Sequence, residues 1–105
     1  MAERIHVVPA HLREAAARHQ QTSDHLRTIP SSHAAIQQSL DSLGPIFSEL
    51  REAGRELLEQ RRRCYEQQAD DHADIAQHLE ISAATWERHE QDAAGMLGGI
   101  VDGDR

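Results

Sequence analysis

Apolar and near-apolar positions early in the chain recur in alternating steps of four and three: Val8, Leu12, Ala15, His19, Thr22, Leu26 and Ile29. That spacing predicts one amphipathic helix over residues 9–29. Val8 precedes a proline and is biased toward extended backbone, and Pro9 suits a first helical position. His19 and Thr22 are weak members of the stripe, so packing there should be thin. Pro30 should end or kink the helix at Ile29. Ser31 and Ser32 offer N-caps for a short helix or loop over 31–43, where Ala35, Ile36, Leu40 and Leu43 keep helical spacing. Gly44-Pro45 is the sharpest break in the chain. Beyond it one drifting stripe runs through Phe47, Leu50, Gly54, Leu57, Leu58, Arg61, Tyr65, Gln68, His72, Ile75, Leu79, Ser82, Trp86, His89, Ala93 and Met96. It predicts a single long helix over 45–95, apolar at both ends and polar from Arg61 to His72. Gly95, Gly98, Gly99 and Gly103 interrupt the last apolar residues and read as a frayed end with a flexible tail over 96–105.

These elements predict an all-α fold in one domain spanning 1–105, an elongated helical hairpin with one long C-terminal helix. A helix of about 20 residues spans roughly 30 Å and one of about 50 roughly 75 Å, so the first cannot cover the second. The expected packing seam draws on Leu12, Leu26, Phe47, Leu50, Leu57, Ile75 and Leu79. A second chain, another copy or a paired helical homologue, would bury the remainder as a homo- or hetero-dimer within a helical bundle.

Composition narrows the possible functions. Only 3% of the residues are aromatic, so an aliphatic, alanine-rich core is expected and a deep ligand pocket is not. The formal net charge is -7 and the chain has no lysine. Its one basic run, Arg61-Arg62-Arg63, is flanked by acids and reads as a solvated helix face, which argues against nucleic-acid binding. No run is long and apolar enough to span a membrane. The N-terminus lacks the apolar core of a signal peptide, so synthesis in the cytoplasm without one is the expectation. Cys64 is alone, which excludes an internal disulfide and a CxxC zinc site.

Catalytic motifs are missing: there is no Gly-rich phosphate loop, nucleophile elbow or HExxH. No catalytic residue, cofactor or metal is expected. Asp71, Asp74 and His78 share one helix face, and two carboxylates with an imidazole could hold a divalent ion, but an acidic solvated face explains them as well. His19, His72 and His89 lie on or near the stripes, as edge histidines or as a pH-sensitive seam. Trp86, the lone tryptophan, stands four residues before Glu90, so the ring and the carboxylate share a helix face that a partner could read together.

Three landmarks occur in order: Val7-Val8-Pro9-Ala10-His11-Leu12, Gly44-Pro45-Ile46-Phe47 and Trp86-Glu87-Arg88-His89-Glu90. Together they resemble the EspC-like family of type VII (ESX) secretion-associated proteins of mycobacteria and their relatives, distantly similar to WXG-type helical hairpins. The resemblance covers essentially the whole chain. It implies a non-enzymatic substrate or co-secreted partner of the ESX apparatus, met by a secretion ATPase or chaperone and then secreted or held at the cell envelope. It also implies a C-terminal Tyr-x-x-x-Asp export signal, whose positions here are Trp86 and Glu90, with aromatic and acidic character both kept. No Trp-x-Gly turn is present. The alternative reading is a cytosolic helical adaptor or scaffold that is not exported.

Overall fold

The computed structural model describes residues 6–103, with side chains described as far as residue 98. Three α-helices follow one another: α1 (Pro9–Thr28), α2 (His33–Asp41) and α3 (Ser48–Gly103). Short 3₁₀ turns, Ile29–Ser32 and Pro45–Phe47, join them. The molecule is an all-α hairpin measuring 91 × 26 × 14 Å. Its length is that of α3, whose 56 residues make one uninterrupted rod.

The start of α1 follows from its sequence. Val8 is extended (φ -104°, ψ 109°) and Pro9 opens the helix. The Val8 carbonyl accepts from the backbone N–H of His11 at 2.9 Å and of Leu12 at 3.4 Å. Pro30 ends α1 as expected, with Ile29 as the C-cap. It tightens one turn to 3₁₀ geometry, and the backbone on either side stays right-handed helical. Ser31 and Ser32 do not cap α2. Their hydroxyls donate backward to the carbonyls of Thr28 (2.7 Å) and Ile29 (3.0 Å). A serine near a missing proline N–H has such carbonyls within reach, and this local bond competes with capping. The true reversal is at Gly44, whose φ of +85° is a conformation that favours glycine.

α1 and α2 run antiparallel along α3. Asp41 of α2 lies 3.5 Å from Arg55, and Arg27 of α1 donates to Asp70 at 2.7 Å. Farther along, Arg13 lies 3.6 Å from Glu80. At Gly54 the helices meet so closely that an added Cβ would run into the Leu40 side chain. The polar middle of α3 is held by pairs along its own surface, with Arg62 bonded to Glu59 and Glu66, and Gln67 donating to Asp71 at 3.0 Å.

The seam is built from small residues. Ala16 and Ser23 of α1 are buried against Ala69, Ala76 and Ala83 of α3, each set spaced by seven. Ser23 is fully enclosed and its hydroxyl donates to the Ala69 carbonyl at 2.7 Å. Small side chains let the two backbones approach, and the larger residues flank the line. Leu12, Leu26 and Leu79 are half-buried flanking residues. Phe47, Leu50, Leu57 and Ile75 lie exposed on the single chain and do not line this seam. The expected stripe on α3 is displaced by one residue, because Ile75 sits beside the buried Ala76 on a helix where each step turns the side chain by about 100°.

α3 continues as helix to Gly103, past the boundary expected at 95. Glycine weakens a helix by about 1 kcal/mol relative to alanine without forbidding it. Asp104 and Arg105, the last two positions of the expected tail, lie outside the described residues.

A candidate partner-recognition surface on the overhang of α3

The hairpin register decides which part of α3 is left uncovered. Near the start of α1, Arg13 grips Glu87 through both guanidinium nitrogens, the Nη2–Oε2 contact measuring 3.0 Å. The same guanidinium reaches Glu80 one pair of turns earlier. Past Glu87, α3 projects beyond the first turns of α1, and residues 88–98 are exposed throughout.

Trp86 and Glu90 stand at the base of this overhang. Glu87 turns toward α1, and Trp86 is set about 100° around the helix from it. Trp86 is 39% exposed, and its ring packs edge-on against His89 with centroids 6.4 Å apart. Glu90 is exposed and makes no salt bridge among the described residues. Trp86, Glu90 and Leu97 fall within about 40° of arc and continue the direction of the seam beyond the point where α1 stops. An amphipathic helix or groove on another protein can therefore engage ring and carboxylate together.

The Arg13–Glu87 clamp makes the base of the overhang sensitive to acid. The Arg13 guanidinium, chiefly by its hydrogen bond, holds the Glu87 carboxyl below the usual carboxylate range. A carboxylate lowered in the folded state contributes stability above its unfolded value, and that contribution disappears as pH falls through the folded value. Acidification from about pH 5 to pH 3 should therefore loosen this end of the hairpin, and Glu87→Gln should remove that part of the dependence. Amide hydrogen exchange at residues 10–14 across that range measures it; identical profiles in the two proteins would refute the clamp.

His19 and His72 meet across the seam, Nδ1 to Nδ1 at 2.9 Å. Their ring centroids are 5.1 Å apart. That spacing is what two rings joined head-on by an N–H···N bond require, so the contact is a hydrogen bond more than a stack. One imidazole donates from Nδ1 and the other accepts at Nδ1, so only one of the two rings carries a proton at that atom. His89 lies on the overhang, outside this seam. Among the described residues no three His, Cys, Asp or Glu side chains converge on a common point for a metal, and Asp71, Asp74 and His78 are all exposed. Tyr65 is half-buried beneath the Arg61 guanidinium, 5.4 Å from the ring centre, and Cys64 is exposed. No described helix is long and apolar enough to cross a membrane.

The sequence reading missed the Arg13–Glu87 clamp and the alanine line. The second had a signal: Ala69, Ala76 and Ala83 repeat at seven. The first had none, because it joins residues 74 apart.

Comparison with known proteins places this architecture. No solved structure matches the chain. Uncharacterized proteins from Mycobacterium bovis and from two strains of Mycobacterium tuberculosis are each 70% identical to it over 105 residues, covering 100% of both chains. Residues 1–99 match the family model described as excreted virulence factor EspC, type VII ESX diderm. With the whole hairpin and all but the last turn of α3 inside that match, the chain belongs to the EspC family and is a type VII secretion-associated protein.

Proposed function

We propose that this protein is a substrate or co-secreted partner of the ESX apparatus, and that Trp86 and Glu90 form its aromatic-x-x-x-acid export signal. One observation supports this most: Trp86 and Glu90 are both exposed on α3 where it begins to project beyond α1. A secretion ATPase or chaperone could bind there without unfolding the hairpin. The protein would be made in the cytoplasm and act, before and after export, through helix–helix contacts with itself or a paired helical homologue. Catalysis plays no part in this role.

Glu90→Ala tests the signal cleanly. An exposed carboxylate without a partner contributes little to stability. The variant should keep its circular dichroism and melting midpoint while its secreted fraction, in a host with an intact ESX system, falls about tenfold or more, a loss of at least about 1.4 kcal/mol in recognition. Wild-type export of a folded Glu90→Ala protein would sink the signal and leave the cytosolic adaptor as the better reading.

A further inference from the structure

A proton count decides whether His19 and His72 can face each other. Their rings meet head-on across the seam, Nδ1 to Nδ1 at 2.9 Å. They fill the layer between Ala16 with Ala76 and Ser23 with Ala69, and both are half-buried. Two nitrogens ligating a transition metal from opposite sides stand about 4 Å apart, so this gap fits a proton and not an ion.

The neutral pair has one Nδ1–H, donated to the bare Nδ1 of the other ring. A first added proton enters at Nε2 of the donor ring, whose Nδ1–H then donates from a cation, and the bond strengthens. A second proton has only the acceptor's Nδ1 to enter. It sets N–H against N–H and cation against cation at hydrogen-bond distance. The surrounding groups do not offset this. On α1, Arg18 lines the same open groove as both rings and adds positive charge, although Glu14 accepts from its guanidinium at 2.9 Å. The Thr22 hydroxyl in that groove donates to the Arg18 carbonyl. On α3, Asp71 and Asp74 are exposed, and Asp71 accepts from Gln67. Among the described residues no carboxylate forms a salt bridge with either ring.

We propose that this pair is an acid-operated latch, closed with no added proton or with one, and opening α1 from α3 around residues 16–23 when both rings are charged. In the open chain both imidazoles take up protons at the ordinary histidine value of about 6.5, whereas the closed seam has room for one. The open state therefore binds more protons below that pH, and the closed state loses stability as pH falls from about 7 to 5. This window lies above that of the Arg13–Glu87 clamp, and the latch does not depend on the export signal.

Amide hydrogen exchange of the full chain, corrected for the intrinsic effect of pH on exchange, tests it. A helix of 20 residues is marginal in water once undocked, so opening exposes the amides of α1. Protection at residues 16–23 should fall about tenfold or more from pH 7 to pH 5, a difference of one proton setting a ceiling of roughly thirtyfold. His72→Gln should abolish the fall, because a side-chain amide can turn its oxygen toward a charged His19. Glu87→Gln should leave it in place, and so should His33→Gln, which removes the buried histidine of α2. Wild-type protection that is equal at the two pH values overturns the proposal, as does a fall that persists in His72→Gln or vanishes in His33→Gln. Should His72→Gln lose the hairpin at pH 7, the double variant His19→Leu, His72→Leu replaces both polar partners by apolar ones, and a fall that persists there overturns the latch equally.

Discussion

Ala69→Leu should be the most damaging single substitution in the hairpin, lowering unfolding stability by about 3 kcal/mol, at the upper end of the usual cost of overpacking. Ala69 has no exposed surface, and its carbonyl accepts the buried Ser23 hydroxyl. Three extra carbons at that point cannot enter without pushing α1 off α3 along the line that Ala16, Ala76 and Ala83 also define. For a domain of this size the loss lowers the melting midpoint by more than about 10 °C. Ile75→Ala, by contrast, deletes three carbons of an apolar side chain, yet Ile75 is 42% exposed, and its loss should cost only about 1 kcal/mol. Thermal melts of the two variants at low protein concentration, where self-association does not contribute, give the comparison. The reverse order of stabilities would place Ile75 in the seam and Ala69 outside it.

The contrast between Ala69 and Ile75 shows what could be read without a structure. Helical periodicity, Pro9 and Gly44-Pro45 were enough for two helices and a short helix or loop between them, and the unequal lengths for a hairpin with an uncovered end. Which residues face inward was harder, because a stripe drawn through the largest apolar side chains assumes that size marks the core. Here the seam selects for small residues. Among the drawn positions Leu58, Tyr65, His72 and Leu79 coincide with inward ones, whereas Gln68, Ile75 and Ser82 each fall one residue short of Ala69, Ala76 and Ala83. Pro30 was read as ending or kinking the first helix at Ile29, and α1 does stop there, passing into a 3₁₀ turn whose two serine hydroxyls return to nearby carbonyls. The overhang was visible only as a length argument. Its exact base depends on the register set by contacts such as Arg27–Asp70 and Arg13–Glu87, which join residues far apart in the chain.

Trp86→Ala should abolish most export while leaving the hairpin folded. A fully buried tryptophan replaced by alanine costs about 3–5 kcal/mol. Trp86 is 39% exposed, and its described aromatic contact is to His89 of its own helix, so the cost should fall well short of that range, near 1–2 kcal/mol once the missing burial is discounted. The seam from Ala16 to Ala83 and the Arg13–Glu87 clamp remain in place. Recognition should suffer more than stability, because exposed aromatic anchors that enter a partner's pocket dominate interfaces, with truncation costs of 2 kcal/mol and above as a general magnitude, roughly thirtyfold in affinity. Trp86→Tyr should keep most export, since the ring and its distance to Glu90 are preserved. The measurement is the secreted fraction of each variant beside its melting curve and its cytoplasmic level. If Trp86→Ala unfolds the hairpin, the ring is a packing residue and Glu90→Ala alone must carry the test of export. If it is folded and exported as well as wild type, the aromatic half of the signal is refuted.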